Sequence, residues 1–166
     1  GEGDFDGGSG ETILQADVNG EGFLLKLRSD GQFVWGHNVG QFPLSTGTFT
    51  NSEALALSAN TLLIGGRFNN TVDFDPGPGV DTVTTLNGAA FIIGSDTSGA
   101  LIDRWILAGP GLALVYDIAV NDVNEMACSG YIFGQSVDMD PGPGVDTLHS
   151  VASGYDAFVM KFGPLT

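Results

Sequence analysis

Two stretches of the chain each set three carboxylates on one short turn. Asp73, Asp75 and Asp81 fall at the first, third and ninth positions of Asp73-Phe-Asp-Pro-Gly-Pro-Gly-Val-Asp81. Asp138, Asp140 and Asp146 repeat that spacing in Asp138-Met-Asp-Pro-Gly-Pro-Gly-Val-Asp146. The chemistry open to such a set is cation binding before it is catalysis. Calcium takes about six to eight oxygens, mixing carboxylates with backbone carbonyls. Gly77 and Gly79, and Gly142 and Gly144, lie where carbonyls could turn toward an ion. The prolines between them fix φ, so less order has to be acquired on binding. Structural calcium is therefore the expected cofactor. Its expected ligands are Asp73, Asp75, Gly77, Gly79 and Asp81, and again Asp138, Asp140, Gly142, Gly144 and Asp146. The pattern is not an EF-hand, because no glutamate stands at the twelfth position and no helix flanks it.

A competing reading needs no ion. Aspartate shapes turns by accepting hydrogen bonds from nearby backbone N–H groups, and Asp-Pro-Gly suits a turn by shape alone. Three acids at one spacing, twice over, tilt the expectation to calcium, since close like charges otherwise need separation or protonation. A degraded copy, Asp4-Phe-Asp-Gly-Gly-Ser-Gly-Glu-Thr12, lacks both prolines and has Glu11 near the last acid. It is expected to bind an ion weakly or not at all.

Catalytic readings are poorer. Paired acids could serve glycoside hydrolysis, but nothing nearby in sequence supplies a site that raises a carboxyl pKa. His37 and His149 are too few for a zinc site, and no Ser-His-Asp set can be assembled. Gly-x-Gly occurrences are followed by no helix. The chain is expected not to be an enzyme.

The elements around the turns read as strands. Glu53–Ser58, Thr61–Phe68, Ala89–Ile93 and Ala100–Leu107 show period-two patterning bounded by Asn, Gly and Asp. Ser95-Asp-Thr-Ser-Gly99 and Ser29-Asp-Gly31 are hairpin signals. Phe23–Leu27, Phe91–Ile93 and Phe158–Phe162 recur as third strands, and Asp117–Val120 with Glu125–Gly130 repeat the first and second. Four antiparallel strands per repeat, without helical periodicity, predict an all-β fold of blade-like units, a partial or oligomer-completed β-propeller. One β-repeat domain over 1–166 would hold about two and a half blades: a partial unit at 1–50, a full unit at 51–115 and a partial unit at 116–166.

Composition narrows the partners. Twenty acidic and five basic residues give a net charge of −15. With no basic patch, nucleic acid is excluded as a partner. No long apolar run predicts membrane insertion. The hydrophobic content of 42% is too high for disorder, and 26 glycines without a three-residue period suit tight turns rather than collagen. The single cysteine, Cys128, sits in an apolar stretch and reads as a small buried hydrophobe. Trp35 and Trp105, placed near the ends of fourth strands, read as interface cover rather than sugar platforms. Asn69-Asn-Thr71 is a glycosylation sequon by pattern. The start at Gly1 points to a processed product or an excised piece.

Leu63-Ile-Gly-Gly-Arg-Phe68 followed by Val72-Asp-Phe-Asp-Pro-Gly77, the strand Asp156-Ala-Phe-Val-Met-Lys161, and Phe23-Leu-Leu-Lys-Leu-Arg-Ser-Asp-Gly-Gln-Phe-Val-Trp35 together resemble the bacterial β-propeller repeat family known as SBBP. The likeness runs over nearly the whole chain. The middle repeat departs from it at Gly94, in place of the strand lysine, and at Ile102-Asp-Arg-Trp105. The resemblance implies a non-catalytic structural or adhesive module of a large exported protein, extracellular or at the cell surface. Its expected partners are other chains or further repeats that complete a ring. The alternatives are a carbohydrate- or protein-binding propeller and, third, a glycan-processing hydrolase.

Overall fold

The computed structural model describes residues 2–16, 20–41, 47–151 and 154–164. Among them the chain is all-β, with no helix and every strand pair antiparallel. A first group pairs β1 (Glu2–Asp4) with β2 (Ile13–Gln15), and β3 (Gly22–Leu27) with β4 (Phe33–Val39). A second group is a four-stranded meander of β5 (Phe49–Ser58), β6 (Thr61–Asp73), β7 (Thr82–Ser95) and β8 (Leu101–Leu107), in that order across the sheet. A third comprises β9 (Leu112–Val120), β10 (Glu125–Phe133), β11 (Ser136–Asp138), β12 (Thr147–His149) and β13 (Tyr155–Pro164). Its main sheet has the order β13-β10-β9, and β11 and β12 form a separate ribbon. No closed barrel or ring forms among the described residues.

The hairpin between β7 and β8 falls where the sequence predicts it. Between β7 and β8, Asp96 Oδ1 accepts the N–H groups of Ser98 (2.7 Å) and Ala100 (3.0 Å), while Gly99 supplies a φ of 92°. That left-handed φ is cheap only for glycine.

The sheets stack face to face, and β6 and β7 form the middle layer. Successive strand residues point to opposite faces, so Leu63 and Ile64 serve different cores. Leu63, Ala90, Ile92 and Leu107 join Val115, Ile118, Met126, Cys128 and Phe158 in the core toward the third group. Ile64, Phe68, Phe91 and Ile93 join Leu24 and Val39, with Trp35 packed against them, in the core toward the first group. This two-sided burial is why β6 starts as an unbroken apolar run. Contact with the third group is tight at Gly65, where a β-carbon would stand 2.8 Å from Ile118 Cδ1 and Val115 Cγ1. Both tryptophans line these interfaces, Trp35 stacked on His37 at 4.8 Å and Trp105 lying 6.1 Å from Phe162.

Several strands outrun their sequence signals. β4 continues past Trp35 to Val39 because Gly36, His37 and Asn38 pair with Leu25, Leu24 and Phe23 despite their low strand propensity. Trp35 is thus near the start of its strand. β9 begins at Leu112, in a continuous apolar run that offers no alternation to read. β6 and β7 bend together where Asn70 (φ 56°) and Gly88 (φ 86°) break the register, then run on to the acidic turn. Asn69 of the sequon is spent on this bend: its Oδ1 accepts the N–H of Phe49 and its Nδ2 donates to Gly47 O, both at 2.8 Å.

Candidate functional site

The three acidic turns close with one hydrogen-bond pattern. In the first full copy, Asp73 Oδ1 accepts the N–H groups of Asp75 (3.1 Å) and Asp81 (2.8 Å), and Asp75 Oδ1 accepts that of Gly77 (2.7 Å). In the second, Asp138 Oδ1 accepts from Asp140 (3.0 Å) and Asp146 (2.9 Å), and Asp140 Oδ1 from Gly142 (2.7 Å). The degraded copy does the same without proline: Asp4 Oδ1 takes Asp6 (3.0 Å) and Thr12 (2.9 Å), and Asp6 Oδ1 takes Gly8 (2.8 Å). One carboxylate oxygen therefore ties both arms of each turn. These are charge-assisted bonds, which are stronger than neutral ones.

The glycines serve space rather than backbone torsion. Neither Gly77 nor Gly79 takes a left-handed φ. A β-carbon at Gly79 would collide with the Asp75 carboxylate, as one at Gly144 would with Asp140 and one at Gly10 with Asp6. The second aspartate of each turn lies folded across the loop.

Past the bend, the turns fold back onto the neighbouring group. Asp73 and Gln41 exchange both backbone hydrogen bonds (2.6 and 2.8 Å), and Gln41 Nε2 donates to Pro76 O (3.1 Å). Asp138 meets Ala108 in the same way, its N–H donating to Ala108 O at 2.8 Å. Gln41 and Ala108 both lie just beyond the fourth strand of the preceding group. Between the two aspartates, Phe74 plugs the core at 2% exposure, its ring 5.2 Å from both Phe68 and Phe91. Met139 plugs the other core at the equivalent position. Arg104 on β8 pairs with Asp81, and that carboxylate holds the guanidinium pKa above its usual value. Each full turn is thus a clasp: a backbone pairing, a buried plug and a tied loop.

Calcium has to be weighed against this geometry. Asp73, Asp75 and Asp81, with Gly77 and Gly79, do share one loop, and so do Asp138, Asp140, Asp146, Gly142 and Gly144. Yet Oδ1 of Asp73 and of Asp75 is already committed to backbone donors, and Asp81 faces a guanidinium. Among the described residues no group of three His, Cys, Asp or Glu side chains is placed to hold an ion together. As arranged, the turns are hydrogen-bonded loops closed through the Oδ1 atoms of their first two aspartates.

The residues that make the clasp work carry little signal in the sequence. The spacing of the acids does not single out Phe74 and Met139, although an apolar residue inside an acidic turn is itself a signal of burial. Gln41, Ala108 and Arg104 carry no local pattern, because their role depends on which groups become neighbours. Cys128 is buried, and burial pushes its thiol up to about 11 from an ordinary 9.0. The fold favours the neutral thiol, so this stability is present below pH 9.0 and is lost as pH rises toward about 11. Denaturant melts at pH 8 and at pH 10.5 should show an alkaline loss that Cys128→Ala reduces, and native Cys128 should resist thiol reagents until unfolding. No protein-family model matches the chain, and no curated protein or solved structure matches it.

Proposed function

We propose that the chain is a non-catalytic structural module of the β-propeller-repeat type, part of an exported protein, built for side-by-side packing of blade-like units. The observation that carries this reading is the clasp. The same carboxylate pattern occurs three times, and in both full copies it fastens one sheet to the next instead of opening a cleft. The carboxylates that would have to act as acid and base are engaged in closing turns. Export and a surface role rest on the repeat resemblance. The ring that a propeller implies is part of the proposal, and its closure would involve further repeats or chains.

Calcium enters this proposal as a stabiliser of the turns at 73–81 and 138–146, on the strength of the three-acid spacing. Removing charge separates the ion from the hydrogen bonds. Asp73→Asn keeps an oxygen for the Asp75 and Asp81 N–H groups, whereas Asp73→Ala leaves both without their acceptor and is expected to cost about 1–3 kcal/mol. If calcium is bound, metal analysis finds about two ions per chain, chelation lowers the melting temperature, and Asp73→Asn with Asp138→Asn abolishes that response. A metal-free protein that melts identically with calcium and with chelator removes the ion and leaves the clasp. Glycosidase turnover that is lost in Asp75→Asn would overturn the non-catalytic reading.

A further inference from the structure

The chain carries both halves of its own sheet-to-sheet contact, each open to solvent. Within the chain the contact is made twice with one polarity. The first group offers Leu24 and Val39 to the face of the second that bears Phe91, and the second offers Ala90 and Ile92 to the face of the third that bears Phe158. The correspondence is fixed by register: Phe91 pairs with Gly66, and Phe158 with Gly130. The Phe91 and Phe158 faces therefore each dock on the opposite face of the group before them.

The first group has a face of this kind that no described residue covers. Phe23 stands where Phe91 and Phe158 stand, yet it is 51% exposed. Phe5, between Asp4 and Asp6, holds the position of the plugs Phe74 and Met139 and touches Phe23 at 4.5 Å. Phe5, Phe23 and Leu14 line a hollow of about 300 Å³. The backbone edge that meets Gln41 and Ala108 in the other two turns is met by no described residue at Asp4.

The third group has the receiving face. Ser129–Val159 and Tyr131–Ala157 occupy the register of Gly65–Ile92 and Arg67–Ala90, the pairs that receive the third group. Val159 is 82% exposed and Tyr155 70%. Tyr116, Tyr131, Tyr155 and Phe133 make a continuous aromatic row, with neighbouring ring centroids between 4.6 and 5.5 Å apart. Aromatic surface of this kind is typical of interface cores.

We infer that the Tyr131/Tyr155/Val159 face of one copy receives the Phe5/Phe23 face of a second copy, head to tail. This rests on the structural-module reading and names its partner. The missing contact is the one the chain already makes twice, and both of its sides are present on one molecule. Such a contact joins different patches, so it propagates or closes into a ring. The net charge of −15 opposes it, so assembly should strengthen as salt screens the repulsion.

The test is the mass of the full chain by light scattering and sedimentation, across protein concentration and from low to physiological salt. The expected result is growth beyond the 17.2 kDa monomer. Phe23→Glu and Val159→Glu, both at exposed positions, should each stay monomeric with an unchanged melting temperature. Mixed in equal amounts they should form a pair, since each retains the face the other lacks. A wild type that stays monomeric at every concentration and salt overturns the inference, as does assembly that survives both substitutions. A monomer held on mannan, xylan or dextran gels and released by Tyr155→Ala also overturns it, in favour of a glycan face. A glycan face would favour the carbohydrate-binding alternative, whereas either of the other failures with intact melting leaves the structural-module reading in place. Glycosidase turnover would instead remove that reading.

Discussion

Phe91→Ala is expected to lower stability by about 3–5 kcal/mol, the range for deleting a fully buried aromatic ring. Phe91 is wholly buried, and its ring meets Phe74 at 5.2 Å and Phe68 at 6.3 Å. The three rings come from different parts of the repeat: Phe68 from the strand before the bend, Phe74 from the clasp and Phe91 from the third strand. Deleting Phe91 therefore opens a cavity and unseats the plug that the turn inserts. Neighbouring backbone is tied by the Asp73–Gln41 pairing, so collapse into the cavity is limited and the cost should sit high in the range. For a domain of this size each kcal/mol shifts the melting temperature by about 2–4 °C. Urea melts and thermal scans of Phe91→Ala should show this loss. Val80→Ala, at the turn tip and 79% exposed, should change stability by less than about 0.5 kcal/mol. A loss under about 1 kcal/mol in Phe91→Ala would mean that the ring cluster is not the hub of this interface.

How much of this could be read from residues alone follows from the range of each interaction. The hairpin at Asp96 to Gly99 is local: its acceptor, donors and left-handed residue lie within five positions, so the sequence states it. The all-β class is equally local, since alternation and turn residues recur along the whole chain. The acidic turns were legible as turns and as repeats. Their hydrogen bonds follow from Asx chemistry, and the proline-free copy forms the same bonds as the other two. What was not legible was the destination of those turns. Folding them back takes a bend at Asn70 and Gly88 that reads as a strand end. The partners Gln41 and Ala108 are chosen by the packing of whole sheets. A strict count of carboxylates favours an ion, whereas Phe74 and Met139 show that the loop's apolar residue does the anchoring. Beyond the bend, Asp73 and Asp138 carry each full turn to the neighbouring group, where they meet Gln41 and Ala108.

Gly66→Ala and Gly130→Ala should each cost about 3 kcal/mol or more, and for one shared reason. Neither glycine has a left-handed φ, so alanine would be tolerated there on torsion alone. The obstacle is backbone. A β-carbon at Gly66 would run into the carbonyl of Asn51, and one at Gly130 into the carbonyl of Leu114. Each carbonyl lies beside a bulge in the adjoining first strand, where the register shifts past Glu53 in one case and past Tyr116 in the other. A bulge increases local twist and brings one strand in over its neighbour, and glycine is the residue that lets it approach. A side-chain neighbour could swing away. A carbonyl held in a ladder cannot, so the sheet must separate or the bulge must unwind. Overpacking of this kind usually costs about 1–3 kcal/mol and more when backbone has to move. The control is Gly94→Ala in the same sheet, where a β-carbon would find only ordinary contacts with Thr61 at 3.4 Å and Trp105 at 3.7 Å. That variant should be neutral or slightly more stable, because alanine restricts the unfolded chain. Urea melts of the three variants decide the matter. If Gly66→Ala and Gly130→Ala melt like Gly94→Ala, the paired bulges do not constrain the repeat. If both fall together, the close approach of first and second strands is a fixed feature of each unit, and it sets the twist with which one sheet meets the next.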